Sequence, residues 1–439
     1  FNLFFPEGSE MEVDFPETLE VEVTNRCNFK CFMCIRNVWN VEPLDLDLGL
    51  YRKLAECFPN LRKLVLYGFG EPFINPSFIE MLRIARSRLP EEGEVSINTN
   101  GSLLTPRIAD KVVKDVGVDS IFFSIDTMDE AMLADIRRGA DLGVIVRNLK
   151  YVAKLKGEAR RNLSLGVEVV VMKDNLRGLP EFVRVLAEEG VDKILFSHVV
   201  PYMEEVLNQS LYVTLSKPSL EIIEPSLKYG WRLIRDSAQG VLSEVYAGNR
   251  RSGATDLVKD FWRRAERKGY WINLPLLFTL KKVVKSIREV EECFERCLKV
   301  AREYQVDLDL PSVYPDAKRR SCPYVDVNAA FVRSDGKVVP CSEFAYRHPL
   351  YVNAHVKDVH EVVFGDLRKE SIESIWNKDV YVNFRRIRRG LSENVPWCGD
   401  CPYSALGCFF TKTSELDCYS NSPGCSECLY SVGLARCNL

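Results

Sequence analysis

Between residues 19 and 201 the chain alternates short β-branched runs with helix-length amphipathic stretches, a serial pattern that few folds accept. The candidate strands are residues 19–24, 63–67, 94–98, 120–124, 165–172 and 193–197. Helix-like segments at 50–58, 78–89, 106–116 and 179–189 lie between them, each long enough to carry the chain back for a parallel pairing. The pattern predicts an α/β fold, a partial (β/α)6 barrel of TIM type, open on one side. Residues 1–15 read as an N-terminal extension and 16–201 as the barrel. Residues 202–320 read as a mostly helical insertion, on the amphipathic stretches 256–268 and 280–305. Residues 321–439 read as a separate cysteine-rich domain.

Fifteen cysteines are too many to ignore and are unevenly spread: two clusters, at 27–34 and 322–437, with Cys57, Cys293 and Cys297 between. Secreted disulfide scaffolds are short, and Phe1–Phe5 lacks the basic flank of a signal peptide and runs into Pro6. The clustering therefore predicts metal binding in a reducing cytoplasm. The net charge of −3 argues against a nucleic-acid coat, and no apolar run approaches the ~18 residues of a membrane helix.

Cys27, Cys31 and Cys34 form a C-x3-C-x2-C loop just past the first strand. Three thiolates are one short of the four that close an ordinary iron–sulfur or zinc site, so a [4Fe–4S] cube held there keeps one iron open. A zinc site with a distant fourth ligand, or small buried cysteines, are the alternatives. Gly68-Phe69-Gly70-Glu71-Pro72 follows the second strand, Asn98 to Gly101 end the third, and Ser124-Ile125-Asp126 end the fourth. Polar residues at the carboxyl ends of successive strands converge on one face.

These motifs resemble, in order, those of the radical S-adenosylmethionine (radical SAM) superfamily. The resemblance implies that Cys27, Cys31 and Cys34 hold a [4Fe–4S] cluster whose open iron binds S-adenosylmethionine. It further implies that Gly68, Gly70 and Glu71 contact the methionyl end, and that Asn98, Ser124 and Asp126 lie near the ribose or the carboxylate. Arg36 and Asp126 are the candidate catalytic residues. The implied chemistry is reductive cleavage to a 5′-deoxyadenosyl radical that takes a hydrogen atom from substrate, with an external electron donor such as ferredoxin. Met33 stands where an aromatic residue is common, and Gly-Phe-Gly-Glu stretches the usual Gly-Gly-Glu.

The C-terminal cysteines extend the resemblance. Cys322, the turn Asp335-Gly336, Cys341, then Cys398, Cys401, Cys408, Cys418, Cys425, Cys428 and Cys437 look like the SPASM extension of radical SAM maturases. By that likeness they hold two auxiliary [4Fe–4S] clusters with one thiol to spare; a zinc ribbon is the alternative. The combination of motifs looks most like maturases associated with tungsten-containing aldehyde ferredoxin oxidoreductases, which would make the substrate a cofactor or a partner enzyme. A peptide-modifying SPASM enzyme is the alternative, and an iron–sulfur electron-transfer or scaffold protein is the non-enzyme one. A cytoplasmic, anaerobic setting is implied. Cys57 and the helical pair Cys293 and Cys297 read as core thiols, His198 as structural, and Glu168 and Lys173 as weak site candidates. Trp39, like Arg36, reads as packing over the cluster or lining the substrate entrance, and the run 385–389 as a solvated basic helix face.

Overall fold

The computed structural model describes residues 14–223 and 253–439, with 236, 240 and 243 between them. All but residues 14 and 15 of the expected N-terminal extension, and part of the expected helical insertion, lie outside the described residues.

All six expected barrel strands form, as β1 (Thr18–Val21), β2 (Lys63–Leu66), β3 (Glu94–Thr99), β4 (Ser120–Ser124), β5 (Ser164–Val171) and β6 (Lys193–His198). They pair in parallel in that order, and the sheet continues beyond both ends. β7 (Asp307–Asp309) adds in parallel to β6, and β8 (Ala329–Val332) adds in parallel to β1. Antiparallel β9 (Lys337–Val339) pairs with β8. The C-terminal cysteine-rich segment is thus hydrogen-bonded to the first barrel strand, and its fold is continuous with the barrel. β7 carries only Asp-Leu-Asp, too short for an alternation to register in sequence.

The two faces of the sheet differ in chemistry. Leu19 and Val21, Leu64 and Leu66, Val95 and Ile97, Val167 and Val169 are buried in the main hydrophobic core. Helix Leu142–Leu155 shows how that core is closed. The Asp141 side chain caps its first turn by accepting from Val144 N–H, and Ile145, Leu149, Val152 and Leu155 form its buried stripe. Each such side chain contributes about 1.5–3 kcal/mol of burial before entropy is counted. Alternate positions along the strands, among them Glu20, Asn98, Ser124 and Glu168, face the barrel interior. Closed barrels fill that space with branched apolar residues; here it is polar, which marks a binding chamber.

Candidate active site

One cavity at the carboxyl ends of the strands brings together Cys27, Cys31, Cys34, Arg36, Gly68, Gly70, Glu71, Asn98 and Ser124. Two glycines explain how the second-strand turn comes so near the cysteine loop. A Cβ on Gly70 would stand 2.2 Å from the Thr24 carbonyl oxygen and 2.6 Å from that of Arg26, and one on Gly68 would stand 2.6 Å from the Glu22 side chain. Glycine is the residue whose backbone can approach another that closely. The Glu71 N–H then donates to the Arg26 carbonyl at 2.8 Å, locking turn to loop.

All three loop thiols are pushed above their ordinary value, chiefly by burial, Cys34 to about 11. Such thiols ionise when a cationic metal centre takes them as ligands. Among the described residues no three Cys, His, Asp or Glu side chains converge closely enough for one bound ion; the three thiols share the wall of a cavity instead. The donor set, three thiols beside Arg36 and Arg137, fits an anionic thiolate-ligated cluster. Arg36 braces the loop: its Nε donates to the Asn25 carbonyl at 3.0 Å and its Nη1 to that of Phe29 at 3.3 Å.

Glu71 is 2 % exposed and accepts from Thr99 Oγ1 (2.8 Å), Asn100 N–H (2.7 Å) and Phe73 N–H (3.3 Å). Burial, partly offset by these donors, raises its carboxyl to about 7. Because the folded value lies above the ordinary 4.5, the folded chain holds this proton more tightly, and the group's contribution to stability falls as pH rises from 4.5 to about 7. A cationic ligand beside Glu71 has the opposite dependence, since it prefers the ionised carboxylate. Binding of S-adenosylmethionine is expected to be tighter at about pH 8 than at about pH 6, and Glu71→Gln to weaken it roughly ten- to hundred-fold while flattening that dependence. Titration calorimetry at both pH values checks this, and equal affinity in variant and wild type would remove Glu71 from the account.

Asp126 corrects an expectation. β4 ends at Ser124, so the alternation stops, and Asp126 is fully buried behind the cavity wall. It makes a two-point ion pair with Arg137, at 2.7 Å to Nε and 3.1 Å to Nη2, and accepts from Val170 N–H at 2.8 Å. Arg137 lines the cavity in its place. A two-residue antiparallel ladder pairs Cys31 with Arg137 and Lys30 with Arg138, which ties this cation to the cysteine loop. Asn100, Glu168, Arg436 and Asn438 also line the cavity. Arg436 and Asn438 come from the C-terminus, where Asn438 Nδ2 lies 3.3 Å from Asn98 Oδ1. Burial raises the Glu168 carboxyl, opposed by the Asn98 and Asn438 amides beside it.

Of the weaker sequence candidates Glu168 lines the cavity, and the others fall outside it. Lys173 is exposed, and His198 is buried against Tyr212 and Phe294, where burial lowers it to about 3 and keeps it neutral. Trp39 packs edge-on against Phe69 (5.4 Å) and Tyr346 (4.6 Å), joining the cysteine loop to the C-terminal segment. Glu22 reinforces that joint, accepting from Ser334 N–H, Ser334 Oγ and the Tyr346 hydroxyl. Cys57, Cys293 and Cys297 are buried core thiols, and all fifteen cysteines are free.

Of the nine C-terminal thiols, Cys322, Cys341, Cys425 and Cys428 line one cavity. Cys398, Cys401, Cys408 and Cys418 form a second neighbourhood: burial raises Cys398, Cys401 and Cys418, and Cys401 adds to the rise at Cys398 and Cys418, as Cys408 does at Cys401 and Cys418. Cys437 stands between Glu20 and the first group. The basic helix Asp379–Arg389 corrects a second expectation: Arg385 and Arg388 are buried, Arg385 stacking at 3.8 Å over the Trp376 ring.

A radical SAM superfamily model matches residues 21–186, and a SPASM model, described as an iron–sulfur cluster-binding domain, matches 322–402. Residues 21–186 thus form a radical SAM domain and residues 322–402 a SPASM domain, which makes the protein an enzyme of [4Fe–4S] and S-adenosylmethionine chemistry. It is 29% identical over 423 residues, 95% of this chain and 96% of the relative, to the tungsten-containing aldehyde ferredoxin oxidoreductase cofactor-modifying protein of Pyrococcus furiosus. It is also 28% identical over 181 residues, 40% of this chain and 42% of the relative, to the pre-heme d1 synthase of Dinoroseobacter shibae. The fold resembles Streptococcus suis SuiB bound to S-adenosylmethionine, with a TM-score of 0.50 at 13% identity over 90% of this chain and 73% of that one. Among the described residues no helix is long and apolar enough to cross a membrane.

Proposed function

We propose that this enzyme modifies the cofactor of a tungsten-containing oxidoreductase, or the oxidoreductase that carries it. The observation that supports this most is the likeness along 95% of the chain to the cofactor-modifying relative, together with a polar chamber beneath three thiols. When bound, the cluster and S-adenosylmethionine supply the electron and the hydrogen-abstracting radical. The residues of the chain supply position. Cys27, Cys31 and Cys34 hold the cluster, and Arg36 keeps their loop in shape through two backbone carbonyls. Glu71, with the carbonyls of the Gly68–Gly70 turn, receives the ligand's ammonium. Arg137, aimed by Asp126, and Ser124 receive its carboxylate, and Asn98 lies on the ribose side. Glu168, Arg436 and Asn438 close the chamber on the substrate side and keep water from it.

The C-terminal thiols hold two auxiliary [4Fe–4S] clusters in this reading, one per group of four. A cytoplasmic, anaerobic setting and an electron donor such as ferredoxin accompany it, since fifteen free thiols need reducing surroundings. The test is anaerobic incubation of the reconstituted protein with S-adenosylmethionine and dithionite, with and without tungsten pterin cofactor or the cofactor-bearing oxidoreductase. The expected result is 5′-deoxyadenosine formation that quickens with one of these and a mass change in that substrate. Stimulation only by a short peptide would move the substrate to the peptide-modifying class.

A further inference from the structure

The helix Asp379–Arg389 buries Tyr381, Phe384, Arg385 and Arg388 on one face, and the most unusual of the four is Arg388. It is 1 % exposed. Its guanidinium lies 4.0 Å over the Phe384 ring. Nη2 donates to the Pro423 carbonyl and stands 3.5 Å from Cys425 Sγ, while Nε and Nη1 meet no hydrogen-bond partner among the described residues. The side chain opens on the cavity lined by Cys322, Cys341, Cys425 and Cys428.

A buried guanidinium without a counter-charge is strongly unfavourable, and the nearby carboxylates do not supply one. Glu343 and Glu427 share that cavity, but Glu343 faces His348 at 3.3 Å, and Glu427 is held by Lys357 at 3.1 Å and His355 at 3.2 Å. A second buried cation, Arg320, adds to the imbalance. It donates to the carbonyls of Val395 (2.8 Å), Pro396 (3.0 Å) and Cys425 (2.9 Å), none of which cancels its charge. Asp417 offsets part of the Arg320 charge, but with neutral thiols Arg388 has no counter-charge among the described residues. Four thiolates around a [4Fe–4S] core supply one: the oxidised centre then carries about two negative charges, and the reduced centre one more. The arginines and such a centre complete each other electrostatically.

We propose that Arg388 is the counter-charge of the auxiliary centre held by Cys322, Cys341, Cys425 and Cys428, and that it sets that centre's reduction potential. This rests on the auxiliary-cluster reading above. Arg388 stabilises the reduced form more than the oxidised form, because the added electron lies in its field, and its N–H toward Cys425 Sγ withdraws charge from one ligand. Arg388 acts on the cluster through charge and touches no substrate; it is a positioning residue.

The test uses full-length protein with Cys27, Cys31 and Cys34 replaced by Ala, so that only auxiliary centres are read. Arg388→Met and Arg388→Lys are placed on that background, iron and zinc are counted, and each protein is titrated with dithionite against mediators under electron paramagnetic resonance. The expected result is about eight irons in all three. One transition in Arg388→Met should move to lower potential by about a tenfold change in the ratio of reduced to oxidised centre, equivalent to 59 mV for one electron. Arg388→Lys should restore most of the shift, and the other transition should stay in place. Loss of about four irons in Arg388→Met but not in Arg388→Lys also supports the charge role. Unmoved transitions with full iron, or equal iron loss in both variants, would overturn it in favour of a purely packing arginine. Zinc without iron in the background protein would instead overturn the auxiliary-cluster reading on which it rests.

Discussion

Replacing Cys27, Cys31 and Cys34 together by Ala is expected to lower the iron content from about twelve to about eight per chain and to reduce 5′-deoxyadenosine formation to background. The loss should be specific. The three thiols line a cavity wall rather than the main core, so the circular dichroism spectrum should be preserved, and the auxiliary irons sit on a different stretch of chain. Iron analysis and chromatography of the products after anaerobic reconstitution check both halves. Persistent turnover in a protein short of four irons would show that the C-x3-C-x2-C loop is not where S-adenosylmethionine is cleaved.

Asp126→Ala is expected to be the most damaging single change near the site, even though Asp126 lies behind the cavity wall. It leaves Arg137 buried and unpaired, and breaking a buried ion pair from one side costs about 3–5 kcal/mol. The thermal transition should fall by several degrees, and S-adenosylmethionine should bind weakly because the guanidinium is no longer aimed. The double variant Asp126→Ala, Arg137→Met separates the two effects. With no stranded charge, stability should largely return, while affinity should remain poor because the carboxylate-binding cation is gone. Scanning calorimetry and binding titration of the three proteins decide it. A double variant that binds normally would remove Arg137 from the site, and a single variant as stable as wild type would show that the pair contributes little.

The barrel was legible because its strands are β-branched, alternate with period two, and are spaced by helices with clear apolar stripes. The cysteine loop, the Gly68–Glu71 turn, Asn98 and Ser124 were legible for a related reason: each sits within a few residues of a strand's carboxyl end, where sequence position and spatial position nearly coincide. Arg137 has no such marker. It reaches the site through a two-residue ladder with Cys31, a pairing across 106 positions that no local pattern announces. Arg436 and Asn438 arrive from the far end of the chain, where they flank a cysteine that drew attention to itself alone. Asp126 was misplaced because the strand stops two residues earlier and the alternation with it.

The basic run at 385–389 is a different kind of miss, since its spacing did carry the signal. Residues 381, 384, 385 and 388 follow the i, i+3, i+4, i+7 rhythm of a buried stripe, and charge type alone suggested solvent. Stacking on Trp376 and Phe384 makes burial of the arginines' flat faces favourable, and the thiols beside Arg388 give its charge a purpose.

Everything above requires that a cluster held by only three thiols meets S-adenosylmethionine directly. Reduce the iron-replete protein with dithionite, record its electron paramagnetic resonance spectrum, add S-adenosylmethionine, and record it again. One of the overlapping [4Fe–4S] signals should change shape on addition, and this component should be missing from the protein lacking Cys27, Cys31 and Cys34. Spectra that superimpose before and after addition, in protein with its full iron complement, would contradict it.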